Sequence, residues 1–287
     1  MIEEIAHAKI NLALHVTDQR SDGFHELDSL IVFTLDGDRI FVEPNETSNN
    51  HELFIDGPFA HQLASDEENL VMRAAHLLGQ TTSEVAPASI HLIKNLPVAS
   101  GIGGGSADAA ATLRALKQFW KLDVDLHPIA KSLGADVPMC LHSNPLRARG
   151  IGDELVLFED AGSFPILLVN PGCSISTPSV FTELQTKQNA PISRLGENPF
   201  SNIFAISQLR NDLETPAISL NPEVGETLQA LAKTDPLLCR MSGSGATCFG
   251  IYDTLKSAED AANVISKKNP DWWIMASSTT TSIQRSL

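Results

Sequence analysis

Hydrophobic and polar positions alternate from the start of the chain. Ala6, Ala8, Ile10, Leu12, Leu14 and Val16 fall on one side, and His7, Lys9, Asn11 and His15 on the other. A period of two over this length predicts a half-buried strand, with Lys9 and Asn11 pointing together off the core. A turn is expected at Arg20-Ser21-Asp22-Gly23, then a strand through Leu30-Ile31-Val32-Phe33. Asp36-Gly37-Asp38 reads as a hairpin turn into Arg39-Ile40-Phe41-Val42. The period changes to helical from about Asn69 to Leu78, where Leu70, Ala74, Leu77 and Leu78 share a face. A strand through Ile90–Ile93 leads into a glycine-rich turn. The next helix carries Ala109, Leu113, Leu116 and Trp120 on one stripe, and a shorter one over 126–133 stops at Gly134 as a C-cap.

The run 143–164 is loop-rich, with Pro145, Gly150, Gly152 and Gly162, and is the expected domain boundary. Beyond it the pattern restarts. Strands are expected at Ile166–Val169, Leu237–Met241, Thr247–Tyr252 and Trp272–Ala276, with a helix over 255–267. Two helix-linked strand sets around a hairpin predict an α+β layer of the ferredoxin-like kind.

Composition narrows the partners. The 287 residues contain 20 Lys+Arg against 35 Asp+Glu, a formal net charge of −15, with 43% hydrophobic and 19% charged residues. This is an ordinary globular balance. So acidic a chain is poorly suited to a polyanion or an anionic membrane surface, so no nucleic-acid or membrane partner is expected. A small anionic ligand stays open, because a few backbone N–H groups and one lysine hold it locally. No apolar run approaches the roughly 18–20 residues that span a bilayer, and the N-terminus resembles neither a signal nor a transit peptide. Cys140, Cys173, Cys239 and Cys248 are scattered without metal-ligand spacing and read as reduced. A soluble, cytoplasmic protein is expected.

The strongest chemical signal is the stretch Pro97-Val98-Ala99-Ser100-Gly101-Ile102-Gly103-Gly104-Gly105-Ser106-Ala107. Its glycines keep side chains away from the backbone, and a helix follows at once. Free N–H groups and the positive end of the helix dipole therefore face one space, which makes a phosphate cradle. It is not a P-loop, which needs lysine after the last glycine. It is not the dinucleotide fingerprint either, since the sixth position counted from Gly101 is Ser106. A second loop, Ser242-Gly243-Ser244-Gly245-Ala246, by itself reads more naturally as a hairpin connection; paired with the first it closes over the same ligand. Lys9 reads equally as a solvated edge lysine, and Asp136, after a helix C-cap, as a turn or capping residue.

Three separated motifs resemble one family, the GHMP kinases. They are Ala8-Lys9-Ile10-Asn11-Leu12, the stretch from Pro97 to Ala110, and Gly243-Ser244-Gly245-Ala246, in order and spread over nearly the whole chain. A narrower resemblance, to members acting on a cytidine-diphosphate-linked methylerythritol, rests on further segments. These are Asp22-Gly23-Phe24-His25, Glu68-Asn69-Leu70, Gly134-Ala135-Asp136-Val137-Pro138, Thr177-Pro178-Ser179-Val180-Phe181 and Asn211-Asp212-Leu213-Glu214.

The resemblance implies a two-domain fold, residues 1–160 binding ATP and 161–287 ferredoxin-like. It implies ATP and Mg2+ as cofactors, and a monomer or weak homodimer. Lys9 and Asp136 become catalytic. Asn69, Leu70 and the stretch from Pro97 to Ala107 become ATP-binding, with Ser106 as the hydroxyl left for the metal. Asn11, Phe24, His25, Thr177, Phe181, Gly243 and Ser244 become substrate-binding, Phe24 and Phe181 sandwiching the cytosine. Two departures stand out: Phe24 replaces the usual tyrosine, and Ala107 removes a hydroxyl near the phosphates. The rival readings are another small-alcohol kinase of the family, a non-catalytic nucleotide-binding protein, and a nicotinamide oxidoreductase.

Overall fold

The computed structural model describes residues 1–82, 85–159, 161–193 and 196–281. The chain opens with β1 (Ile2–Gln19), β2 (His25–Pro44) and β3 (Glu52–Asp56), followed by α1 (Leu70–Gly79) and β4 (Ala88–Ile93). Next come α2 (Gly104–Trp120), α3 (His127–Leu133), α4 (Val137–His142), β5 (Leu146–Gly150) and β6 (Glu154–Leu157). The second half comprises β7 (Pro165–Asn170), α5 (Thr177–Thr182), α6 (Ile203–Ser207), α7 (Glu214–Leu220) and α8 (Glu223–Ala232). It closes with β8 (Leu238–Met241), β9 (Cys248–Ile251), α9 (Leu255–Lys268) and β10 (Trp273–Ser278). Among the described residues no helix is long and apolar enough to cross a membrane.

In the first sheet the order is β3-β4-β2-β5-β6, with β1 paired to β2. The long β2 carries β1 along one edge, while β5 and then β4 share the other. This corrects the expected hairpin turn at Asp36-Gly37-Asp38, which lies inside β2. Gly37 is there for close approach: a Cβ would stand 2.1 Å from the Ala6 carbonyl oxygen. Asp38 is fully buried and serves an ion pair rather than a turn. The loop-rich run 143–164 is likewise corrected, since β5 and β6 form a hairpin on this sheet. The run also contains Asp160, at the expected division, which lies outside the described residues. The C-cap expected at Gly134 is present, but with φ 161° it is extended and makes no use of glycine's left-handed freedom.

The second sheet has the order β10-β7-β9-β8. Numbering its strands in sequence gives 4-1-3-2, all antiparallel, with helices between the first and second and between the third and fourth, the ferredoxin-like arrangement. Both faces are covered, which explains the unbroken apolar run in β7. Ile166 and Leu168 pack with Ala8, Ile10 and Leu12 of β1, whereas Leu167 and Val169 pack toward Ala258 and Ile265 of α9. A third core joins β2 and β4 to α1 and α2, with Ala109, Leu113 and Leu116 inward as the stripe predicts.

The half-buried strand expected for β1 is corrected by this packing. Its polar face is buried too, with His7, Lys9, Asn11 and His15 all 7% exposed or less. The outer edge of β1 is not left open. Ile102 O, Arg210 O and Ser242 Oγ accept from the N–H groups of Lys9, Leu14 and Asn11. The polar face of β1 therefore lies against segments from both halves, and the functional cleft forms there.

Candidate active site

A cleft of about 600 Å³ runs between the two sheets, with Lys9, Asn11, Ser29, Gly103 to Ser106, Asp136, Thr177, Phe181, Gly243 and Ser244 in its wall. Lys9 Nζ lies 2.8 Å from Asp136 Oδ2, with the lysine side chain 9% exposed and the carboxylate 39%. This settles what Asp136 does locally. It stands at the N-cap of α4, yet its side chain makes no capping bond and turns to Lys9 instead. The lysine stem passes over Gly103, where an added Cβ would come within 3.1 Å of Cε. Gly103 is also the N-cap of α2, at φ 65°. The Lys9–Asp136 pair therefore adjoins the first turn of α2, whose amides have no intrahelical acceptor. A positive helix end, an ammonium and a partly exposed carboxylate meet at one point.

The two glycine loops pack back to back. Gly101 has φ +78°, and a Cβ on it would stand 2.6 Å from Ser242 O and 2.7 Å from Gly245 O. Only glycine fits a left-handed backbone at that distance from another main chain. Thr247 N–H donates to Ser100 O (3.1 Å) and Ser242 Oγ to Gly101 O (3.2 Å). The second loop is thus both the β8–β9 connection and a wall of the cleft. Ser244 Oγ and Thr177 Oγ1 are 2.7 Å apart, which joins that wall to α5. Asn11 Nδ2 donates to Ser29 Oγ (2.8 Å), while its buried Oδ1 has no partner in the protein. A buried acceptor left unpaired is costly unless a ligand supplies a donor.

A second cavity of about 450 Å³ opens on the other side of the glycine loop and shares Leu70, Ala99 and Gly105 with the main cleft. Lys94, Val98, Asn69 and Asp108 help to line it. Lys94 is buried between two carboxylates, 2.5 Å from Asp38 Oδ2 and 2.6 Å from Asp108 Oδ2. Asp38 Oδ1 also accepts from the N–H groups of Asn95 and Leu96 (2.5 and 2.8 Å). Asp108 Oδ2 accepts from Lys94, while its Oδ1 is buried without a hydrogen-bond partner. Burial pushes the Asp108 carboxyl well above the usual carboxylate range, with Lys94 only partly offsetting it. The sequence reading missed this network. Its one signal was Lys94 directly after the apolar run Ile90–Ile93.

The sequence profile of the GHMP kinases N terminal domain matches residues 69–144, and that of the GHMP kinases C terminal matches 197–271. The 4-diphosphocytidyl-2-C-methyl-D-erythritol kinase of Rhizobium etli (strain CIAT 652) is 47% identical over 97% of this chain and 95% of its own. The chain belongs to the GHMP kinase family. A second relative of the same description, from Mesorhizobium japonicum, is 46% identical over 94% of this chain and 93% of its own. A crystal structure of 4-(cytidine 5'-diphospho)-2C-methyl-D-erythritol kinase superposes with a TM-score of 0.82 at 31% identity, covering 98% of this chain and all of that one.

As a GHMP kinase the chain uses ATP. Within this kinase the expected site residues divide into several groups. Lys9, Asn11, Gly101, Gly103, Gly104, Gly105, Ser106, Asp136, Thr177, Phe181, Gly243 and Ser244 converge on the main cleft, with Ala99, Ser100 and Leu70 beside them. Val98 faces the second cavity. Ile102 and Ala107 do not line either space: both side chains are core, and only their backbone shapes the loop. Pro97 is buried, and its carbonyl accepts from Ser100 Oγ (2.6 Å). The side chain of Asn69 is already engaged, capping α1 through Val71 N–H and donating to Ala64 O (2.7 Å).

Of the two rings expected to sandwich the cytosine, Phe181 lines the cleft and Phe24 lies outside its wall. Phe24 is 61% exposed beside the Arg20–Gly23 turn. His25 stacks on Phe181, with ring centroids 4.6 Å apart and planes at 23°. His25 opens β2 and is half-buried, whereas Phe24 precedes the strand. Burial, with Lys187 nearby, holds the His25 pKa below the usual histidine value, and its buried Nε2 has no partner.

Proposed function

We propose that this GHMP kinase transfers the γ-phosphoryl group of ATP to the 2-hydroxyl of 4-diphosphocytidyl-2-C-methyl-D-erythritol. The observation that carries the reading is the Lys9–Asp136 pair (2.8 Å) set against the N-terminus of α2, in a cleft whose wall includes Phe181. Phosphoryl transfer needs positioning and charge neutralisation more than covalent chemistry. The amides at the start of α2 hold the ATP phosphates, and the second cavity takes the nucleoside beyond them. Asp136 accepts or orients the acceptor hydroxyl proton. Lys9 pairs with that carboxylate and offsets charge on the transferring oxygens. Asn11 Oδ1, buried and unpaired, takes a second substrate hydroxyl. The relatives at 46% and 47% identity over nearly the whole chain support the same substrate.

Among the described residues no cluster of three or more metal-ligating side chains exists. Mg2+ keeps several waters and is held largely by substrate phosphates. Ser106 and Asp136, both in the cleft wall, would be the side chains to hold it, and it would supply positive charge to the ATP phosphates. We further take residues 1–160 and 161–287 as the two domains of a cytoplasmic enzyme that works as a monomer or weak homodimer.

The test is ADP release from ATP with and without the cytidine-diphospho substrate. Turnover that needs this substrate supports the reading. Turnover with mevalonate or homoserine instead moves the chain to another branch of the family.

Recognition of the base gives a second expected result. A base stacked on the free face of Phe181 loses that face in Phe181→Ala. The KM for the cytidine substrate should then rise about tenfold, roughly 1.4 kcal/mol. The KM for ATP should stay put, because the donor lies across the glycine loop. Phe24→Ala should matter far less. Steady-state kinetics on both substrates checks this, and equal effects of the two variants would restore the sandwich.

A further inference from the structure

The helical hairpin that carries Asp136 is closed at its far end by two histidines. His127 opens α3 and His142 ends α4, and their Nε2 atoms lie 3.1 Å apart. His127 Nδ1 donates to Asp125 Oδ1 (2.8 Å), which also accepts the His127 backbone N–H (3.0 Å). We propose that His127 and His142 chelate a divalent transition-metal ion of the imidazole-preferring class, with Zn2+ the representative, separate from the Mg2+ that accompanies ATP.

The separation of the two nitrogens suits such an ion. A metal 2.0–2.1 Å from both nitrogens would make an N–metal–N angle of about 100°, between octahedral and tetrahedral values. Hydrogen bonding to Asp125 places the His127 proton on Nδ1 and leaves the Nε2 lone pair outward. A carboxylate behind a ligating imidazole in this way fixes the ring and raises its basicity. His142 contributes its own Nε2 once its proton sits on Nδ1, a tautomer change that involves no net charge. The rings meet at 48° with centroids 5.1 Å apart, so neither blocks the other's lone pair. His127 is 45% exposed, which leaves the remaining coordination positions to water.

Asp125 reaches the metal only through His127, so the site has two protein ligands. It is therefore a reversible site rather than a closed structural one, which takes four. A metal here would tie residue 127 to residue 142, with Asp136 on the chain between them.

The inference stands apart from the choice of kinase substrate and is tested without turnover. The full chain, in buffer free of Mg2+ and nucleotide, is titrated with ZnCl2 by calorimetry. The histidine rings are followed by 15N NMR. One Zn2+ should bind per chain, with the Nε2 resonances of His127 and His142 shifting together. Binding should vanish in His127→Ala and in His142→Ala, and weaken about 10–100-fold in Asp125→Asn. His142→Gln serves if removal of the ring disturbs folding. No binding by the parent protein, or equal binding by the parent and both histidine variants, would overturn the assignment.

Discussion

Asp136→Ala should lower turnover by about 10²–10⁴-fold, the range for a lost general base, and leave ATP binding nearly intact. The side chain is 39% exposed and makes no capping bond to α4, so its removal should cost little stability and the loss should read on chemistry. Lys9→Met tests the partner. Methionine keeps an apolar stem over Gly103 and removes only the ammonium. Since the two groups act at one point, the double variant should be little worse than either single one. Steady-state turnover and nucleotide calorimetry on the three variants decide the matter. Turnover within threefold of the parent would reduce Asp136 to a turn residue, and fully multiplicative losses would mean that the two side chains work independently.

How much of this was legible in the sequence depended on whether the signal was local. Strand alternation in β1 and the helical stripe of α2 are local and appear as read. The burial of both faces of β1 is not, because the polar side chains meet groups far along the chain, Lys9 at Asp136 and His15 at Ala190 O. Asp36-Gly37-Asp38 has the composition of a turn, yet close passage of Ala6 dictates the glycine and Lys94 dictates the second aspartate. Those demands are tertiary, and they override turn chemistry. The glycine loop, Lys9 and Asp136 were legible as motifs, whereas their contact at 2.8 Å came only with the fold. Of the neighbours Phe24 and His25, the histidine stacks on Phe181 within the protein, a contact that no local pattern announces. Lys94 and Asp108 were hidden because buried charges carry no periodic signature.

That buried network should dominate stability. Lys94→Met removes the one cation between two carboxylates at 2.5 and 2.6 Å, and breaking such a buried pair costs about 3–5 kcal/mol. Against the roughly 5–15 kcal/mol that holds a protein of ordinary stability, the loss should appear as a large drop in the urea midpoint. Asp108→Asn should behave in the opposite way, and its sign follows from protonation. Burial raises the Asp108 carboxyl in the folded chain, so the native state holds a proton that the unfolded chain gives up at ordinary carboxylate pH. The Asp108 contribution is therefore greatest below that range and falls as pH rises toward the raised value. Burial works against the Lys94 charge, but Asp108 and Asp38 outweigh it and hold the ammonium above the usual lysine range, so it does not titrate here. An asparagine cannot lose the proton. The stability of Asp108→Asn relative to the parent should thus be near zero at about pH 4 and increasingly favourable toward about pH 8. A gap that stayed flat with pH would show Asp108 ionised throughout. A Lys94→Met variant as stable as the parent would show that the two carboxylates share a proton without needing the lysine, leaving Lys94 to serve the cavity it lines.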